Sequence, residues 1–264
     1  MGGYLPAAEA ERAAQYAALG LDGPTGLYRD VPDSVYLKEP LHMPEPKSEL
    51  EVRRILEGLA EQNVRFRTIL RGAGAYDHYI PAAVSRIAAK EAFVTAYTPY
   101  QAEISQGVLQ SIFEFQTMIC ELTGLDAANA SVYDGASAAA EAVAMCKERK
   151  RTRAVISAAA HPDVIATIQT YCFGSGTEVV LAPVKDGVTD LTGLLDDATA
   201  CVYIQHPNFF GQLEDLRGFA EAAHAAGAKL IAGVNPATLG VLESPGACGA
   251  DIAVGEGQPL GLPL

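Results

Sequence analysis

A chain of 264 residues, 49% hydrophobic and 19% charged, has the composition of a folded protein and the length for one large core or two smaller ones. Its formal charge of −13 argues against a nucleic-acid partner, because no cationic surplus is present to displace counterions from a phosphate backbone. The five cysteines, Cys120, Cys146, Cys172, Cys201 and Cys248, lie far apart without a CxxC pair, so they frame neither a metal knuckle nor a disulfide network and read as reduced, mostly buried thiols.

The N-terminus lacks the charged-then-apolar order of a signal peptide, and no apolar run approaches the roughly 20 residues that span a bilayer, so a cytoplasmic protein without a membrane partner is expected. Residues 1–65 are rich in breakers, with Pro24, Pro32, Pro40, Pro44 and Pro46 ahead of a helix over 48–63, and read as a helical arm or subdomain. A long helix follows, because Ile104, Val108, Ile112, Phe115, Ile119 and Leu122 recur at steps of four and three before Gly124, and one face of it should be buried. From residue 130 onward, short apolar runs at 154–157, 178–182, 201–205, 229–234 and 251–254 alternate with helical stretches at 162–173, 191–198 and 213–226. Strand, helix, strand in succession predicts a parallel α/β sheet covered on both faces, with ligands at the carboxyl ends of the strands. The basic run Lys147–Arg153 reads as cations at a solvated helix C-terminus.

Five segments could carry chemistry. Residues 70–79 contain the GxG of Gly72 and Gly74, but Asp77 takes the third glycine position and Pro81 falls where a helix should already be running, so the dinucleotide fingerprint fails. What remains is a glycine-rich turn that clusters Tyr76, His78 and Tyr79. Residues 93–103 precede the long helix; Pro99 stiffens a loop that presents Tyr97, Thr98, Tyr100 and Gln101, suited either to holding a small carboxylate or cofactor or simply to packing its tyrosines. Tyr133–Glu141 is a small-residue turn opening a helix. Its amides at Gly135, Ala136 and Ser137 suit an anion or form an ordinary capped first turn. His161-Pro162 and Gln205–Gly211 both follow strands, where a histidine can stack on a flat ring or serve as a turn residue.

Five stretches, GAGAYDHYIP (72–81), FVTAYTPYQAEISQGVLQSIFEFQTMICELTGLD (93–126), YDGASAAAEA (133–142), QHPNFFGQLED (205–215) and GEGQPLGLPL (255–264), closely resemble the glycine decarboxylase (glycine cleavage system P-protein) family in its subunit 1, or N-terminal half. That resemblance implies the large domain of the aspartate-aminotransferase type of pyridoxal phosphate (PLP) dependent transferase, fold type I, over residues 66–264. It also implies a heterotetrameric enzyme in which glycine is decarboxylated and its aminomethyl group passes to the lipoyl arm of H-protein. PLP would be bound covalently by subunit 2, not by this chain. The fold requires an aspartate facing the pyridine nitrogen and a lysine about 26 residues later. Here those positions fall on Ala232 and on Gln258 or Pro259, and no lysine follows Lys229.

If the two subunits form a pseudo-symmetric pair, loops of this chain complete the partner's site. The resemblance then assigns Tyr97, Thr98, Tyr100 and Gln101 to placing glycine, Tyr76 and His78 to lining the entrance, and Gly135, Ala136 and Ser137 to a vestigial phosphate turn. Family members run on into a C-terminal small domain, so the sequence is expected to be a truncated form. Three further readings are a non-catalytic scaffold that pairs with the PLP-bearing subunit and, more distantly, a nicotinamide-dependent dehydrogenase and an independent PLP enzyme.

Overall fold

The computed structural model describes residues 7–70, 78–94 and 102–263, with the backbone alone for 102–105. The chain divides into two compact units, Met1–Ile69 and Leu70–Leu264. The first holds α1 (Glu9–Ala18), a 3-10 turn at Pro24–Tyr28 and α2 (Glu49–Glu61). Helix α2 starts at Ser48, whose hydroxyl accepts from the Glu51 N–H while the Glu51 carboxylate accepts from the Ser48 N–H at 2.9 Å. This reciprocal cap satisfies two amides that the first turn otherwise leaves open.

The second unit opens with α3 (Ala82–Ala88), α4 (Glu91–Val94) and the long α5 (Ala102–Thr123), which ends where Gly124 adopts a left-handed φ of +71°. The face formed by Val108, Ile112, Phe115, Ile119 and Leu122 is only half-buried, less covered than its periodicity predicts. Next come α6 (Gly135–Cys146), β1 (Arg153–Ser157), α7 (Pro162–Ser175) and β2 (Glu178–Ala182), then a small hairpin of β3 (Val184–Lys185) and β4 (Val188–Thr189). The unit continues with β5 (Thr199–His206), α8 (Leu216–Ala225), β6 (Lys229–Val234) and β7 (Ile252–Val254). Short 3-10 turns at Pro236–Gly240 and Gln258–Leu260 follow β6 and β7.

The sheet is parallel throughout, in the order β2-β1-β5-β6-β7. Its strands alternate with a period of two. Ala154, Ile156, Cys201, Tyr203 and Ile231 point to the face covered by α6 and α7; Val155, Val202, Ile204, Leu230 and Ala232 point to the face covered by α8. Burying each of the larger aliphatic side chains stabilises the fold by about 1.5–3 kcal/mol. On α6 the inward positions are Ala139, Ala140, Ala142 and Val143, small enough to let the helix lie close to the sheet.

The five apolar runs are the five sheet strands, and all five cysteines are free, with Cys146, Cys172 and Cys201 buried. The stretch 191–198 is not the expected helix. The Asp190 carboxylate accepts from the N–H and the hydroxyl of Thr192, the Asp196 carboxylate accepts from the Ala198 N–H and the Thr199 hydroxyl, and Gly193 sits at φ +73°. Side chains competing this way for the backbone hold turns in place of a helix. The basic run is more engaged than a solvated helix end: the Arg151 guanidinium donates to the carbonyls of Thr199 and Ala226, and Arg153 pairs with Glu178 and Asp196.

Candidate functional site

The strand order reverses between β1 and β5, since β1 is followed in sequence by its outer neighbour β2 while β5 begins the walk in the other direction. Open parallel sheets bind ligands outside the carboxyl ends of the strands at such a reversal. Here that edge is formed by Ser157 and His161 after β1, Gln205 to Glu214 after β5, and Gly255 to Leu262 after β7, with the start of α6 beside the last.

His161 is the N-cap of α7. Its backbone N–H donates to Gln205 Oε1 at 2.7 Å, its Nδ1 accepts from the Asp163 N–H, and its ring meets Phe209 edge to face at 5.1 Å. Phe209 in turn donates its N–H to the Ala159 carbonyl at 2.8 Å. The histidine that could stack on a flat ring is therefore engaged with this chain's own aromatic side chain.

Beneath the loop after β5 lies a buried carboxylate. Glu214 is 5% exposed and accepts from the Thr189 hydroxyl at 2.9 Å, from the Thr189 N–H, and from Asn208 Nδ2 at 2.9 Å. Ser157 and Thr189 share a further hydrogen bond at 2.6 Å, and the Glu214 N–H donates to His206 Nδ1 at 3.0 Å. Burial pushes the His206 imidazole below its ordinary pKa, against an opposing pull from the Glu214 charge, so its neutral, accepting form is favoured. Each member of this network has a partner, which is the condition for a polar cluster to be rigid in an apolar setting. The pattern of the QHPNFFGQLED stretch hinted at a ligand loop, but nothing in it identified Glu214 as the buried anchor.

The small-residue turn at the start of α6 is also filled from within the chain. The Gly135 N–H donates to Glu256 Oε1 at 2.6 Å, and the Ser137 N–H donates to Asp134 Oδ1 at 2.6 Å. A Cβ on Gly135 would meet the Glu256 carboxylate oxygen at 3.0 Å, so that side chain lies directly on the turn. A phosphate group placed there would lose two amides and face two carboxylates. The turn therefore does not fit the phosphate of PLP. Nor does the rest of the arrangement: Ala232 is fully buried in β6, and Lys229 sits at the amino end of that strand with its ammonium 2.9 Å from Asp251.

Of the cluster Tyr76, His78 and Tyr79, the last two lie among the described residues: Tyr79 is exposed, and His78 Nε2 is 2.7 Å from the Leu262 carbonyl oxygen. Tyr76, Tyr97, Thr98, Tyr100 and Gln101 lie outside the described residues. No cluster able to hold a metal ion occurs among the described residues, and no helix among them is long and apolar enough to cross a membrane.

The sequence model of the glycine cleavage system P-protein matches residues 2–264. The chain belongs to that family. It is 49% identical over 264 residues to the probable glycine dehydrogenase (decarboxylating) subunit 1 of Carboxydothermus hydrogenoformans, covering 98% of this chain and 60% of that protein. It is 48% identical to the protein of the same name in Desulforamulus reducens, covering 99% of this chain and 60% of that one. The chain thus spans about 60% of the length of the relatives it matches. A crystal structure of glycine decarboxylase (P-protein) in inhibitor-bound form superposes with a TM-score of 0.88 at 44% identity, covering 100% of this chain and 60% of that one. A NifS-like protein at 14% identity and a TM-score of 0.52 shares the fold alone, over 70% of this chain and 54% of its own. The α/β architecture of PLP-dependent transferases, expected from the sequence stretches, is the fold of this P-protein family member.

Proposed function

We propose that this chain is one half of a glycine decarboxylase, working in the cytoplasm with a companion subunit whose lysine binds PLP covalently. The pair decarboxylates glycine and passes the aminomethyl group to the lipoyl arm of H-protein. Held in the companion, PLP would supply an electron sink for the pair left on the α-carbon of glycine when carbon dioxide departs. This chain's own contribution is to orient and enclose. Tyr97, Thr98, Tyr100 and Gln101 hold glycine from the loop stiffened by Pro99, Tyr76 and His78 line the entrance, and residues 1–65 act as a helical arm.

The observation that carries the reading is the similarity across the whole chain to P-proteins named for glycine decarboxylation. The division of labour is supported by the turn at α6, where Glu256 and Asp134 occupy the amides a phosphate would need. It is also supported by the register of β6 and β7, which run side by side with Ala232 opposite Ala253. The strand that should carry the acid and the strand that leads to the amine position are thus neighbours, and the residues at those two positions, Ala232 and Gln258 or Pro259, bear no charge. An uncharged pair there leaves neither an amine to bind the cofactor nor an acid to protonate its ring.

The test is exchange of labelled carbon dioxide with the carboxyl group of glycine. Exchange should require both subunits and fall to background with either alone. Complex formation without exchange would replace this reading with that of a non-catalytic scaffold.

A further inference from the structure

The loop after β7 joins three parts of the second unit. At its start, Gly255 packs so tightly on the end of β6 that a Cβ would run into the Val234 carbonyl oxygen. Next, Glu256 reaches the first turn of α6 and accepts from the Gly135 N–H at 2.6 Å. The chain then closes on itself: the Leu262 N–H donates to the Gln258 carbonyl at 3.0 Å, and Gly261 takes a left-handed φ of +101°. Finally the loop meets the segment that follows the glycine-rich turn. The Leu262 carbonyl oxygen is 2.7 Å from His78 Nε2, and a Cβ on Gly261 would lie 3.2 Å from Pro81 Cδ and 3.5 Å from the Tyr79 carbonyl oxygen.

The geometry points to Glu256 as a positioning residue for the glycine site. Its carboxylate fixes the loop 257–262 against α6, and that loop meets His78 and the backbone of residues 79–81. The inference rests on the reading of His78 as part of the site entrance given above. Local sequence does not reveal this linkage, since the Glu256–Gly135 contact joins residues 121 positions apart and the His78–Leu262 contact joins residues 184 apart.

The role needs an acceptor at the end of a side chain of this length, not a negative charge. That requirement separates positioning from bulk stability, because glutamine keeps the acceptor and alanine removes it. In the enzyme reconstituted from both subunits, Glu256→Ala should raise KM for glycine about 5–10-fold while kcat stays within about twofold, as expected when binding geometry alone is loosened. Glu256→Gln should return KM to within about twofold of the unaltered enzyme. Combining Glu256→Ala with His78→Ala should add nothing to the KM of His78→Ala alone, because both variants break one linkage.

An unchanged KM in Glu256→Ala, or effects of the two substitutions that multiply, overturns the inference. If His78→Ala itself leaves KM unchanged, the entrance reading falls, whereas an effect of His78→Ala with none from Glu256→Ala sinks the positioning role alone. Should Glu256→Ala fail to assemble, Gly261→Ala disturbs the same loop from its other end with Glu256 intact. It should raise KM likewise, and an unchanged KM there also overturns the inference.

Discussion

At the amino end of the sheet Asp251 gathers His224, Lys229 and the Leu230 N–H, and Arg153 gathers Glu178 and Asp196. At the carboxyl end Glu214 sits among neutral donors and Glu256 lies on a helix start. The first set meets charge with charge near water, where pairs contribute little individually and mainly tie crossovers to strands. The second set holds loops by hydrogen bonds, several of them buried, where a missing partner is costly. An edge that must present loops in one arrangement is thus built from short-range, directional contacts, while the opposite edge tolerates looser electrostatics.

Glu214→Ala should break this contrast most strongly. It leaves the buried Thr189 N–H without its acceptor and takes one partner each from the Thr189 hydroxyl and the Asn208 amide beneath the loop after β5, and a loss of about 3 kcal/mol is expected in denaturant unfolding. A loss no larger than that of an exposed ion pair would mean the buried network does not anchor the loop.

Lowering the pH should sharpen the comparison with a smaller effect, because the two ends titrate in different windows. His206 has a folded pKa below its ordinary 6.5, so the unfolded chain takes up the proton first; stability is full above that value and is lost as the pH falls through the depressed folded one. Asp251 follows the same sign lower down. Burial pushes its carboxyl up, but the hydrogen bonds from His224, Lys229 and the Leu230 N–H outweigh it, and the folded value lies below the ordinary 3.8. Its contribution is full above 3.8 and is lost as the pH falls through the depressed value. Hydrogen-exchange protection of residues 206–215 should therefore decline as the pH falls below 6.5, while that of 228–231 holds until the pH nears the carboxylate range. His206→Asn, which keeps an acceptor without the proton, should flatten the first decline; an equal decline at both ends would contradict the assignment.

The sheet was legible in the sequence because each strand is a run of apolar residues that must be covered on both faces, as Val155 and Ile156 show by burying on opposite sides. The helix expected over 191–198 was not there, since the Asp190 and Asp196 carboxylates accept from the N–H groups of Thr192 and Ala198, a choice that composition does not reveal. At the candidate site, the turn at Gly135–Ser137 could be read as an anion site or a capped turn from local sequence. Its occupant could not, because Glu256 arrives from the far end of the chain. Glu214 escaped notice for a related reason: an acid flanked by Leu213 and Asp215 looks solvated until the fold brings Thr189 and Asn208 over it.

The proposed division of labour between the subunits depends on which of them supplies the cofactor's amine. After reduction of the PLP-loaded two-subunit enzyme with borohydride, intact-mass and peptide analysis should find the pyridoxyl group on a lysine of the companion and none on the seven lysines of this chain. Stoichiometric label on any one of those seven would contradict it.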